Sequence, residues 1–190
     1  MTPQEITNVL TAMFSNAVQA NAPDAWQVET NGLRLLVLLS EDQSWLRSLV
    51  TIAPAVEAEP FLPQLLEANF DETQETRYAL FQGLLWGVFQ HNCESLTAAD
   101  FQTALVRLIS LQQKGLSDSF SRLAEAQIRQ IIRAAKQQGQ SLEATMQTLD
   151  RLYEEGVMGD LDQSSSSRND VLGAWRYQLE RLWQQEESEG

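Results

Sequence analysis

The sequence predicts an α+β fold: a five-stranded antiparallel sheet with flanking helices, in the order α-β-β-β-α-β-β-α, plus a C-terminal helical extension. Three observations predict it. Apolar residues recur at three- and four-residue spacing at the start of the chain. Two glycine turns, Asn31-Gly32 and Gln82-Gly83, each sit between apolar runs of strand length. Beyond Gly115 strand signals vanish, glutamine rises, and only helical periodicity remains.

The first helix starts at Thr2-Pro3-Gln4-Glu5, which combines a capping hydroxyl, a proline in the first turn and an early acid. Ile6, Val9, Leu10, Met13, Phe14 and Ala17 then carry it to about Ala20, where "NAPD" ends it. Trp26 and Val28 alternate in the first strand, and Asn31-Gly32 turns the chain, both residues tolerating positive φ. Leu33 to Leu39 is nearly continuous in apolar character, which predicts a strand buried on both faces. "SEDQ" makes the next turn, and a third strand runs from Trp45 to Ile52 before Pro54 stops it. Pro60 and Pro63 open the middle helix, whose apolar side is Phe61, Leu62, Leu65 and Leu66. Two strands, Thr76 to Phe81 and Leu84 to Gln90, follow around Gln82-Gly83. Thr97 with Asp100 caps the next helix, whose stripe is Phe101, Leu105, Leu108, Ile109 and Leu111, and Gly115 closes it. Three further amphipathic stretches contain Ile128, Ile131 and Ile132; Leu142, Met146 and Leu149; and Leu179, Leu182 and Trp183.

Charge excludes one class of partner. Asp plus Glu number 26 against 13 Lys plus Arg, a net charge of −13 and a pI near 4.4. Nucleic-acid affinity rests on basic groups displacing counterions, so no nucleic-acid partner is expected. An acidic field instead attracts basic or amphipathic polypeptides. No intrachain disulfide and no zinc site is expected, because Cys93 is the sole cysteine and His91 the sole histidine. The start "MTPQEITNVL" lacks a basic n-region, and the longest apolar run, Leu35 to Leu39, is too short to span a bilayer. A cytoplasmic protein without membrane insertion is the expectation.

Enzyme chemistry is not expected either. No phosphate-cradling glycine loop, serine triad motif or dinucleotide fingerprint occurs. His91 beside Cys93 reads as a strand-end histidine next to an inert thiol, and Asp71, Glu72 and Glu75 read as a solvated turn. No catalytic residue, metal site or cofactor is assigned.

The concentration of apolar and aromatic residues in "LLEANFDETQETRYALFQGLLWGVFQ", residues 65 to 90, needs another explanation. Alternation places Tyr78, Leu80, Leu84, Trp86 and Val88 on one face of the hairpin and Ala79, Phe81, Leu85 and Phe89 on the other. Two apolar faces predict core on one side and a contact surface on the other.

The middle helix closing on Leu65, Leu66, Ala68 and Asn69, the hairpin "YALFQGLLWGVF" and the polar loop "HNCESLTAAD" before the last helix resemble the type III secretion chaperone family, including its Tir-chaperone-like group. The resemblance covers about the first 115 residues and implies a small acidic cytosolic homodimer. With it, the sequence leads to the expectation of a non-enzymatic chaperone or assembly factor. Such a protein binds an extended or amphipathic client segment over Leu62, Leu66, Phe70, Phe81, Trp86 and Val88. The alternative is a permanent structural or regulatory subunit that docks through its C-terminal helices. The expected organisation is an α+β domain over 1–115, a helical hairpin over 116–158, a flexible linker over 159–169, and an amphipathic helix with acidic tail over 170–190.

Overall fold

A computed structural model describes residues 1–154 and 176–185. The expected linker at 159–169, the start of the last helix with Val171, Leu172 and Trp175, and the tail after Gln185 lie outside these residues. The chain divides into two compact units, Met1–Phe120 and Ser121–Gly190.

In the first unit, helix α1 (Pro3–Phe14) begins on a capping box, with Thr2 Oγ1 accepting from the Glu5 amide at 3.3 Å and Glu5 Oε2 accepting from the Thr2 amide at 2.8 Å. It ends earlier than expected. Ser15 adopts a φ of 52°, and after a 3₁₀ turn the chain enters strand β1 (Val18–Ala22). β1 pairs antiparallel with β2 (Ala25–Thr30) through a tight turn at Pro23 and Asp24. The sheet therefore has six strands, not five: β1, β2, β3 (Leu33–Leu39), β4 (Trp45–Pro54), β6 (Leu84–Asn92) and β5 (Thr76–Phe81), in that spatial order. Alanine and glutamine carry little strand signal, and Ala17 and Val18 fit a helical stripe. Pairing with β2 overrides that local preference.

Between β4 and β5 lie the short helix α2 (Ala55–Ala58), a 3₁₀ turn at Glu59–Phe61, and α3 (Leu62–Asp71) with proline in its first turn. Helix α4 (Ala98–Lys114) follows β6, its N-terminus capped by Thr97. Asn31 keeps a negative φ, so Gly32 alone supplies the left-handed residue of the β2–β3 turn. Gln82 and Gly83 both have positive φ, the conformation of a two-residue hairpin that matches strand twist.

Registers assign the faces. Val28, Leu35, Val50 and Gly87 lie across one face, as do Trp26, Val37, Ser48 and Phe89. Against this face pack Ile6 and Leu10 of α1 and Phe101, Ala104, Leu105 and Leu108 of α4, forming the main core. The Trp26 indole, buried there, donates to Thr7 Oγ1 at 2.9 Å. A second cluster of Ala58, Leu65 and Leu85, with Tyr78 and Leu116 around it, holds α3 on the same face. Within this unit, among the described residues, every helix packs on that face. Burial of β3 on both sides is accordingly not found: Leu35, Val37 and Leu39 are buried, whereas Leu36 and Leu38 on the other face stay half-buried.

Gly87 explains how closely α4 meets the sheet. A Cβ at this position would lie 2.8 Å from Val50 Cγ2 and 3.4 Å from Leu108 Cδ2. Val50 is a stiff, fully buried β-branched residue and cannot swing aside. Gly87→Ala is expected to destabilise the protein by about 1–3 kcal/mol through overpacking. Urea denaturation followed by circular dichroism measures it, and an unchanged midpoint would show that the interface yields.

The second unit contains most of α5 (Ser117–Gln137), α6 (Leu142–Glu154) and a helix over 176–185. Ile128, Ile132 and Ala135 pack against Leu179, Leu182 and Trp183. Lys136 closes this contact, its Nζ donating to the Trp183 carbonyl at 3.1 Å and lying 5.1 Å from the indole centroid. No helix among the described residues is long and apolar enough to cross a membrane.

Candidate functional site

Helical spacing gives α3 two apolar sides. Leu65 and Ala68 turn inward and are buried. Leu62, Leu66 and Phe70, at intervals of four, form an adjacent stripe; Leu62 is half-buried, Leu66 is 67% exposed and Phe70 is 93% exposed. An aromatic ring left almost wholly in water on an otherwise well-packed unit is the feature that ordinary core packing does not explain.

A groove of about 290 Å³ runs between this stripe and β5, lined by Leu62, Leu65, Leu66, Asn69, Tyr78, Ala79, Leu80 and Leu85. Asn69 sets its floor. Its Oδ1 accepts from the Tyr78 amide at 2.7 Å and its Nδ2 donates to the Tyr78 carbonyl at 3.1 Å. β5 is an edge strand, and this side-chain amide stands where the backbone of a further strand would pair. The Leu65-Leu66-x-Ala68-Asn69 sequence thus has a physical reading. Two residues face the core, one faces out, and one ties the helix to the sheet edge. Asn69→Ala is expected to cost about 1–2 kcal/mol by removing both bonds. It should also speed exchange of the Tyr78 amide; exchange at the wild-type rate would show that the two contacts are not holding the edge.

The six residues expected to bind a client fall on two faces. Leu62, Leu66 and Phe70 belong to the α3 stripe. Phe81, Trp86 and Val88 lie on the opposite face of the sheet, because Phe81 pairs with Leu84 and Ala79 with Trp86. There Phe81 is 64% exposed, Trp86 is half-buried with its indole donating to the Phe81 carbonyl at 3.0 Å, and Val88 is buried. The hairpin faces expected from the sequence are corrected accordingly. Tyr78 and Leu80 share a face with Leu85 and Phe89, and Ala79 and Phe81 share one with Leu84, Trp86 and Val88. Leu80, half-exposed on the groove, was therefore missed. The signal for it was present, since a two-residue turn at Gln82-Gly83 dictates the Leu80–Leu85 pairing.

Several ionisable groups of the first unit, outside the groove lining, are engaged in local structure. Glu75 pairs with Arg107 at 2.6 Å. His91 Nδ1 faces the Asn92 carbonyl at 2.8 Å, and its ring stacks on Phe89. Burial pushes the Cys93 thiol above its ordinary value, away from the reactive thiolate. Hydrogen bonds from the Ser40 and Ser44 side chains and the Ser44 amide lower Asp42 to about 2, which anchors the β3–β4 turn. Among the described residues no group of three metal-ligating side chains forms.

No protein-family model matches the sequence, and no curated protein matches it. Among solved structures the chain is similar to one in the HopA1-SchA chaperone-effector complex, at 9% identity over 59% of this chain and 90% of that one, with a TM-score of 0.48. It is also similar to a chain of the heterodimeric ExoU-SpcU complex from the type III secretion system of Pseudomonas aeruginosa, at 14% identity over 59% and 95%, TM-score 0.47. A third is a chain of the complex of the Yersinia pestis type III secretion chaperone SycH with a fragment of YscM2, at 12% identity over 60% and 98%, TM-score 0.48.

Proposed function

We propose that this chain is a non-enzymatic cytoplasmic chaperone or assembly factor that holds a segment of a client protein in the groove between α3 and β5. The observation that carries the reading is the exposure of Leu66 and Phe70 beside an apolar groove. Burying a Leu or Phe side chain fully is worth about 1.5–3 kcal/mol, so a client that covers both, with Leu80, gains its affinity from apolar area. Some of that gain is spent on ordering the client segment. The exposed Phe81 beside Trp86 gives the other face of the hairpin a second contact surface. The homodimer implied by the resemblance belongs to the same reading.

The test is affinity capture from the native cytosol with the wild-type chain and with a Leu66→Asp/Phe70→Asp variant, bound proteins being identified by mass spectrometry. One or two clients recovered only by the wild type support the reading. Equal recovery by a normally folded variant overturns it for this groove, and a parallel Trp86→Asp capture then asks whether the other face is the docking surface.

A further inference from the structure

The open face of the sheet, opposite the helices of the first unit, carries charge of the sign that the rest of that unit lacks. Residues 1–120 hold fourteen carboxylates and five basic side chains. Within the six strands the balance is reversed, with Arg34, Arg47 and Arg77 against Glu29 alone. Register puts all four on the open face. Gln27, Leu36, Leu49, Val88 and Arg77 follow one another across it in one row, and Ala25, Leu38, Arg47 and Gln90 in the next. Glu29 pairs with Arg34 in the row on the other side. Leu36, Leu38 and Leu49 are half-buried, and Val88, between Leu49 and Arg77, is buried. This face is an apolar field with guanidinium groups set into it, and the α3 stripe lies on the other side of the sheet.

Three of the five basic groups find a carboxylate: Arg107 lies 2.6 Å from Glu75, Lys114 2.9 Å from Asp118 and Arg34 3.4 Å from Glu29. Among the described residues Arg47 and Arg77 do not, although the chain has twice as many acids as bases. Arg47 lies over the Trp45 ring, 5.0 Å from its centroid, and Arg77 donates to Gln90 Oε1 at 3.0 Å. Each contact holds a guanidinium in place and leaves its charge unanswered. A second copy of this chain is a poor occupant. A twofold contact is isologous, so it would set Arg47 and Arg77 against the same face, whose one carboxylate is already paired. The acidic field of the whole chain is screened beyond about 8 Å at physiological salt, which leaves the local sign to decide. Resting on the client-binding reading, though not on the α3–β5 groove, we infer that this open face takes an acidic amphipathic segment of a client. Its apolar side chains lie on Leu36, Leu38 and Leu49, and its Asp or Glu side chains meet Arg47 and Arg77. A guanidinium receives a carboxylate through two parallel hydrogen bonds, which adds direction to the attraction.

The experiment titrates the full chain with three synthetic peptides of equal length: one of leucines and glutamates, its lysine-for-glutamate twin, and a twin of the first with serine for leucine. Methyl NMR shifts of Leu36, Leu38 and Leu49 locate binding, anisotropy gives affinities, and sedimentation velocity gives the mass of the chain alone. The glutamate peptide is expected to shift these methyls and to bind at least about fivefold tighter than its lysine twin, exposed ion pairs being worth about two- to fivefold each. The serine twin should not bind, having no apolar area to bury. Arg47→Gln/Arg77→Gln, with its urea midpoint kept, should erase the preference, and Arg47→Glu/Arg77→Glu should reverse it. Equal binding of the two charged peptides overturns the inference. So does the absence of any shift at these methyls up to about 1 mM peptide, while the Leu66→Asp/Phe70→Asp capture still judges the groove by itself. If the glutamate substitutions lower the mass of the chain instead, the face lies between two copies and the inference falls.

Discussion

Phe89→Ala is expected to destabilise the chain by about 3–5 kcal/mol, a large part of the 5–15 kcal/mol typical of a domain. Phe89 is 1% exposed and lies in the main core with residues of α4. Phe70→Ala should stay within about 0.5 kcal/mol, because its ring has little to lose on truncation. Two phenylalanines from one apolar stretch thus differ in stability cost by several kcal/mol, which urea denaturation of the two variants measures directly. A cost above 2 kcal/mol at Phe70 would make it part of a core and remove the basis for the groove.

The second large effect falls on binding. Once a client segment is in hand, Leu66→Asp with Phe70→Asp is expected to weaken its binding at least about 30-fold, the loss of roughly 2 kcal/mol expected of an interface hot spot. Unfolding should shift by less than about 1 kcal/mol, since both side chains are exposed. Isothermal titration of wild type and variant measures the affinities, and denaturation controls for the fold. Unchanged affinity in a folded variant would exclude the α3 stripe and leave Phe81 and Trp86 as the candidates.

The sequence revealed what depends on local chemistry. Thr2 with Glu5, Thr97 with Asp100, and Gly115 bounded α1 and α4 because capping acts over a few residues. The strand β1 was not legible, since Val18, Gln19 and Ala20 acquire their conformation from β2 rather than from their own preference. Half of the groove was legible: helical spacing placed Leu62, Leu66 and Phe70 together. Leu80 was assigned to the wrong company because the hairpin faces were taken from alternation without carrying the turn register through. The role of Asn69 required tertiary structure, because its partner is nine residues away across a turn. Val88 shows the remaining limit. Apolar identity selects it, but only the fold decides that it is buried.

The strand order has a kinetic consequence. β1 to β4 follow one another in both chain and space, and β5 and β6 form their own hairpin, so each block closes over short loops. Only the β4–β6 ladder joins them, across the whole α2–α3 segment, and α4 then covers the seam through Leu108 near Gly87. Late closure of this seam is expected to limit the folding rate, because chain entropy is surrendered before the long-range pairing rewards it. Pulse-labelled hydrogen exchange should find amides of the β2–β3 ladder protected before those joining β4 to β6; simultaneous protection would contradict it. Until that seam closes, β6 is paired with β5 alone and leaves its β4-facing edge open along an apolar strand, so this chain passes through an aggregation-prone form before the sheet is whole.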